Sequence, residues 1–394
     1  MKYLIRSLIL IFILQGCRPA EVPDRLQADI DSIVYRFIPD KREAVCDINL
    51  EMTDNNLLIK GETSISDVKS GIINFMDQTG IKYIDSLKVL PDESEIIKLR
   101  GIVSVAVSNM KKEPSHSSEL VSQAIMGTPV KILKKSGSWL LVQTPDHYIG
   151  WVSDSGISEK TESEFSEWKK SDRIIFTSKA GDIIVDDNGS GVVSDAVAGI
   201  IVIKKGERGA YFIVELPDGR KGMISKKDGT DFGKWCSEVQ PEAEKLITFA
   251  RSMNGTSYLW GGTSTKMADC SGFVKTIYFT GGIILARDAS QQFKYGKEVD
   301  ISASFDALMP GDLLFFGSLN TEGTKQITHT GMFLGDKEFI HASVTNGMVW
   351  NNSLDSTRTN YSNYLVKILM GARRVIGSET GKGIEHISKH SWYR

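Results

Sequence analysis

The stretch ADCSGFV, residues 268–274, sets a cysteine between an aspartate and a serine, then a glycine, then the start of an apolar run. Its continuation, SGFVKTIYF, has helical spacing, with Phe273 and Ile277 on one face and Val274 beside them. Cys270 therefore falls at or before the first turn of a helix. Unpaired backbone N–H groups and the helix dipole there favour a thiolate over a thiol, whose ordinary pKa is roughly 8.5. Asp269 opposes this by charge and reads instead as the helix cap.

A thiolate nucleophile needs a base. Of six histidines, His329 and His341 lie together in ITHTGMFLGDKEFIHASV, residues 327–344. This stretch reads as a β-hairpin, with strands over 327–334 and 338–343 and a turn near Gly335 and Asp336. Side chains alternate faces along a strand. An odd-length loop puts both rings on one face; a two-residue turn puts them on opposite faces and removes the shared site. On one face, His329 is the base, and His341 holds its far nitrogen and fixes its tautomer. Spacing alone leaves alternatives open: a buried structural cysteine with two core histidines, or a zinc site of Cys270, His329 and His341. No cysteine pair or HExxH run supports the zinc site.

Upstream of this region the pattern is short β-like runs broken by glycine, and it repeats. VSQAIMGTPVKILKKSGSWLLVQTPDHYIGWVS begins at Val121, and VSDAVAGIIVIKKGERGAYFIVELPDGRKGMIS begins at Val193. Ser122 and Ser194, Gly127 and Gly199, Pro145 and Pro217, and Gly150 and Gly222 keep one offset. Two copies of one supersecondary unit follow, read as small β-barrels over 98–158 and 173–230. Before them, 28–97 reads as a small α+β segment: an alternating run near 45–59, a helix near 65–76 and a strand near 81–89. A helix from Gln240 opens the last domain, 238–376, and a polar tail, 377–394, follows with no clear element.

The 394 residues are too many for one core, and 41% hydrophobic with 24% charged residues is ordinary for globular domains. A net charge of -2 gives no basic field for nucleic acid. MKYLIRSLILIFILQGC starts the chain with two basic residues and an apolar run too short to span a bilayer. It reads as a signal peptide over 1–16. Nothing in their spacing pairs Cys46 with Cys236, and each reads as a small buried hydrophobe.

The order of four blocks, YLWGGTSTKMADCSGFV, PGDLLFFG, HTGMFLGDKEFIHA and GARRVI, resembles the NlpC/P60 family of papain-like cysteine peptidases over Tyr258 to Ile376. The resemblance implies an α+β domain, Cys270 as nucleophile, His329 as base, His341 as orienting residue, and no metal or organic cofactor. Both repeats resemble bacterial SH3-type domains of wall-associated proteins, the first ending in the typical Gly150-Trp151-Val152. Leu14-Gln15-Gly16-Cys17 resembles a lipobox, which implies lipidation at Cys17, a tether over 17–27 and an exported, membrane-anchored protein.

Two such barrels before the peptidase domain resemble a subgroup, the γ-D-glutamyl-L-diamino acid endopeptidases of wall recycling (dipeptidyl-peptidase VI). These take murein peptides with a free N-terminal L-alanine and release L-Ala-γ-D-Glu. A buried ammonium requires a carboxylate partner. Asp288 in LARDASQQF resembles the subgroup's amine-binding aspartate, and Tyr258 and Ser271 resemble its pocket residues. Glu119 in SSELVSQ and Tyr148 in DHYIGWV resemble the residues that close the pocket from the first barrel. Arg287 is placed to pair with Asp288 or with a substrate carboxylate, and Trp260 reads as a packing residue. Rival readings are an endopeptidase of intact wall stems, a non-catalytic wall-binding lipoprotein, and an acyltransferase.

Overall fold

The computed structural model describes residues 22 and 24–394, apart from 54–55, 95, 187, 189–190 and 379–380. The expected signal peptide and Cys17 lie outside the described residues. The chain forms two compact units. One comprises residues up to Lys41 with Val45–Val89, the other Arg42–Ala44 with Leu90–Arg394.

In the first unit, helix α1 (Asp24–Phe37) precedes strands β1 (Cys46–Thr53) and β2 (Asn56–Thr63), helix α2 (Ser66–Thr79) and strand β3 (Tyr83–Val89). The single alternating run expected near 45–59 is two strands, because Thr53 pairs with Asn56 and the chain reverses there. Helix α2 buries Val68, Ile72 and Met76, one residue per turn, and stops at the left-handed Gly80. The unit ends at Val89, short of the expected 97.

The second unit begins with two seven-stranded sheets. Strands β4 (Arg100–Val103), β5 (Val107–Lys111), β6 (Leu120–Ile125), β7 (Pro129–Ser136), β8 (Trp139–Gln143), β9 (Ile149–Ser153) and β10 (Ile157–Lys160) build the first. After helix α3 (Glu162–Lys170), held at its start by a Thr161–Glu164 capping box, the second follows. It comprises β11 (Arg173–Phe176), β12 (Ala180–Ile184), β13 (Val192–Val197), β14 (Ile201–Arg208), β15 (Tyr211–Glu215), β16 (Lys221–Ser225) and β17 (Gly229–Asp231). Their spatial orders, β10-β4-β7-β8-β9-β5-β6 and β17-β11-β14-β15-β16-β12-β13, are the same permutation. Buried pairs recur at equivalent positions: Val130 and Val202, Val142 and Val214, Val152 and Ile224.

Helices α4 (Phe232–Glu238) and α5 (Ala243–Ser252) lead into the C-terminal domain. There helix α6 (Cys270–Thr280), strand β18 (Ile283–Leu285) and helix α7 (Ala289–Gln292) precede a six-stranded antiparallel sheet. Its strands are β19 (Lys297–Val299), β20 (Leu313–Leu319), β21 (Lys325–Gly335), β22 (Glu338–Ser343), β23 (Met348–Ser353) and, after helix α8 (Asn363–Lys367), β24 (Leu369–Arg374). Phe273 and Ile277 of α6 are fully buried in one cluster with Phe315, Met332 and Ile340 of the sheet. Each such side chain contributes about 1.5–3 kcal/mol over exposure.

The tail is not the loose polar segment its composition implied. Strand β25 (Ile384–His386) pairs with β18, and Ile387 and Tyr393 are buried. The Arg173 guanidinium donates to the Tyr393 carbonyl at 2.9 Å. A three-residue strand is too short to show its period in sequence.

Candidate active site

Cys270 is the first residue of α6, as the apolar spacing required. Asp269 is its N-cap: its Oδ1 accepts the Gly272 N–H at 2.7 Å, and its Oδ2 accepts the Gly261 N–H at 2.9 Å. Arg287, 1% exposed, clamps the same carboxylate, with Nη2 to Oδ2 at 2.6 Å and Nη1 to Oδ1 at 3.2 Å. Its other donors reach Ser271 Oγ at 2.9 Å and Ser122 Oγ of strand β6 at 3.0 Å. Arg287 is thus committed to Asp269; Asp288 lies 3.9 Å from its Nη1. A bidentate guanidinium–carboxylate pair outcompetes a single longer contact.

Helix α6 starts facing β21. The backbone N–H of Thr330, next in sequence to His329, is near enough to the Cys270 sulfur to favour its thiolate. His329 Nε2 lies 2.6 Å from His341 Nδ1, and His341 Nε2 lies 2.9 Å from Asn352 Oδ1. The Asn352 amide nitrogen donates to the Asn360 carbonyl at 2.8 Å, so its oxygen is the end facing His341. That chain fixes both tautomers. His341 carries its proton on Nε2, accepts at Nδ1 from His329 Nε2–H, and leaves His329 Nδ1 as the free lone pair. The two ring nitrogens at 2.6 Å are spent on each other, which is not how two ligands of one zinc ion stand. Among the described residues no group of three His, Cys, Asp or Glu side chains is arranged to hold a metal.

The turn joining β21 and β22 is the two-residue turn that was expected to separate the histidines. Asp336 and Lys337 both have positive φ, 49° and 60°, as a type I′ turn demands. A β-bulge between Phe333 and Gly335 reverses the consequence: it shifts the register by one and returns His329 and His341 to one face. Gly331 completes the fit, since a Cβ there would stand 3.0 Å from the Cβ of His341.

Burial decides the protonation states. It pushes the Cys270 thiol up to about 12, with Asp269 adding to the rise; N–H groups of Thr330 and Ser271 and the Arg287 charge oppose it. Burial and His341 hold His329 down to about 3, and burial holds His341 to about 4. Burial thus favours the uncharged forms of all three side chains. Burial of Cys270, 8% exposed, opposes the thiolate that the helix terminus favours.

A cavity of about 810 Å³ opens on this cluster. Besides Cys270, His329 and His341 it is lined by Tyr258, Ser271 and Asp288 of the C-terminal domain and by Glu119 and Tyr148, the residues just before strands β6 and β9 of the first sheet. The Tyr148 hydroxyl donates to Asp288 Oδ2 at 3.3 Å, and burial with that carboxylate holds the phenol protonated. Tyr258 is likewise kept protonated by burial and by Cys270 and Asp269 nearby. Trp260 is 62% exposed rather than packed, and its indole N–H donates to Glu119 Oε1 at 2.9 Å. All eight expected site residues within the described chain thus meet in one cavity. Sequence reasoning missed Asn352, brought to His341 by the β22–β23 register, and Arg42, which reaches the cavity from a distant segment.

The NlpC/P60 family model matches residues 255–374, and the model of the bacterial dipeptidyl-peptidase SH3 domain matches residues 110–157. The probable endopeptidase NlpC of Escherichia coli is 36% identical over 126 residues, 32% of this chain and 73% of that protein. The chain belongs to the NlpC/P60 family. It is a peptidase of that family with an SH3-type domain ahead of the NlpC/P60 domain. A γ-D-glutamyl-L-lysine dipeptidyl-peptidase of Bacillus cereus is 28% identical over 236 residues, 58% of this chain and 68% of that protein. A crystal structure of an NlpC/P60 family protein from Bacillus cereus shares the fold, with a TM-score of 0.60 and 23% identity. It covers 70% of this chain and 99% of that one.

Proposed function

We propose that this peptidase hydrolyses the γ-D-glutamyl–diamino acid bond of wall peptides with a free N-terminal L-alanine, releasing L-Ala-γ-D-Glu. The observation that carries the reading is the joint cavity. The Cys270–His329–His341 cluster opens into a space whose other wall, Glu119 and Tyr148, belongs to the SH3-type domain and holds the Asp288 carboxylate. A carboxylate there suits an ammonium end, and a wall from a second domain limits what lies beyond it. The similarity to the Bacillus cereus dipeptidyl-peptidase supports the same substrate class.

In this reading the Cys270 thiol gives its proton to His329 Nδ1 as sulfur attacks the γ-carbonyl. The C–N bond then breaks and the leaving nitrogen takes that proton. Water next gives a proton to His329 as its oxygen attacks the thioester; the C–S bond breaks, and the Cys270 sulfur takes that proton back. The Cys270 backbone N–H stands at the helix start toward the developing oxyanion, and Tyr258 offers a hydroxyl donor in the same cavity. The second sheet is read as another SH3-type copy from its matching strand order. Export with a lipid on Cys17 is read from residues 1–17 alone.

Mass spectrometry of reactions with free L-Ala-γ-D-Glu-diaminopimelate and its N-acetylated form tests the proposal. The purified protein is expected to release L-Ala-γ-D-Glu from the free peptide only. Asp288→Asn is expected to lower kcat/KM on that peptide by about 100-fold, the cost of removing one member of a partly buried charge pair. Equal cleavage of both peptides moves the substrate to intact stems; no cleavage of either, with Cys270→Ala still binding insoluble wall, favours a binding lipoprotein.

A further inference from the structure

The segment Arg42–Ala44 is tied into the second unit on two sides. The Ile149 N–H donates to the Arg42 carbonyl at 3.0 Å, and Gln143 Nε2 donates to the Glu43 carbonyl at 2.8 Å. Both partners belong to the first seven-stranded sheet. On the peptidase side, Glu43 Oε1 accepts from Gln291 Nε2 at 3.0 Å and Oε2 pairs with Lys382 at 2.6 Å. Ala44 is 7% exposed. The segment is therefore fixed, and so is the direction in which Arg42 leaves it.

Arg42 enters the cavity that holds Cys270. Its Nη1 lies 2.7 Å from Asp288 Oδ2 and donates to Ser290 Oγ at 3.0 Å. Asp288 Oδ2 is the oxygen that also accepts from Tyr148. The carboxylate read above as the seat of the substrate ammonium thus already carries a cation from the protein itself.

We propose that Arg42 is a specificity-determining residue: an internal cation on Asp288 that a substrate's ammonium must displace or repel before it can bind. The inference rests on the reading of Asp288 as the amine subsite. An ammonium arriving at Oδ2 meets a like charge bound to the same oxygen, whether it shares the carboxylate or takes it over. Arg42 and Asp288 are about a third exposed, 36% and 27%, so their pair is worth little and yields to a competing cation. A ligand with no positive charge gains nothing by opening it. Arg42 therefore weakens every amine ligand modestly and keeps Asp288 neutralised when none is present.

Binding of free and N-acetylated L-Ala-γ-D-Glu-diaminopimelate to the Cys270→Ala protein, measured by calorimetry with and without Arg42→Gln, tests this. Arg42→Gln is expected to tighten binding of the free peptide by about fivefold, the upper range for a partly exposed ion pair, with no comparable gain for the acetylated one. Arg42→Ala guards against a glutamine that finds its own contact with Asp288, and is expected to give the same sign. A merely structural arginine would lower the melting temperature and leave the free-peptide Kd unchanged or raised, which overturns the inference. An equal gain on both peptides overturns it too, as relief of crowding rather than of charge. If the Arg42-containing protein binds both peptides alike, the amine-subsite reading itself fails and takes this inference with it.

Discussion

The two seven-stranded sheets share a strand order and a constant offset of 72 residues, as from Val121 to Val193, but they serve different ends. In the first copy Glu119 and Tyr148 line the cavity. At the same offset the second copy has Gly191 and Arg220. Arg220 is exposed and links the two sheets, donating to the Ser104 carbonyl at 2.9 Å and the Val193 carbonyl at 3.0 Å. Gln123 of the first copy accepts the Thr263 N–H at 3.0 Å; its counterpart Asp195 forms an ion pair with Lys266 at 2.8 Å. Identical topology thus gives one copy that shapes the cavity and one that braces the assembly. Strand order decides neither role; the side chains at two loop positions do.

That contrast can be broken where the copies look most alike. Gly127 and Gly199 both have positive φ, 82° and 93°. A Cβ on Gly127 would stand 2.1 Å from the Ile201 carbonyl oxygen, a backbone atom, whereas one on Gly199 meets side-chain atoms of Phe279 at 2.8 Å. Gly127→Ala is expected to cost about 3 kcal/mol and Gly199→Ala about half of that, by urea denaturation. Equal losses would mean that φ alone sets the cost and that the copies are energetically equivalent.

A smaller effect sharpens the functional side. Tyr148→Phe removes a donor to a carboxylate and is expected to lower kcat/KM about tenfold on the free peptide. Arg220→Ala, at the equivalent position, is expected to lower the melting temperature by a few degrees and to leave kcat/KM within about twofold. A reversal of the two phenotypes would reverse the roles assigned to the copies.

A pH effect separates both copies from the peptidase domain. His329 and His341 are held near 3 and 4, below the ordinary 6.5, by burial. The unfolded chain then binds more protons than the folded one between those values and 6.5, so stability rises with pH across that window and is level above it. Melting temperature is expected to fall by several degrees from pH 7 to pH 4.5, and His341→Gln is expected to flatten that slope. An unchanged slope would place the acid-sensitive group elsewhere.

Much of this is legible in the sequence. Four blocks in fixed order carried the peptidase domain, and the offset of the glycines carried the two sheets. Apolar spacing placed Cys270 at the start of α6, where it lies. Asn352 was not legible, because its approach to His341 depends on the β22–β23 register, which no local pattern states. Arg42 was hidden by distance along the chain: its partner Asp288 is brought to it only by tertiary folding. The opposing effect of burial on Cys270 is not legible either, because a helix terminus is visible in sequence and desolvation is not.

The bulge beside Leu334 works as a parity bit. A strand counts its faces in twos, so any odd change in the number of residues separating His329 from His341 throws one ring onto the far side of the sheet. An even change keeps both on the same side. The spacing of this pair is therefore free to drift only in steps of two, unless the bulge is lost or gained in the same event. Loop length and bulge are therefore one unit here, and a change to either alone separates the histidines and turns the other side chains of the strand with them.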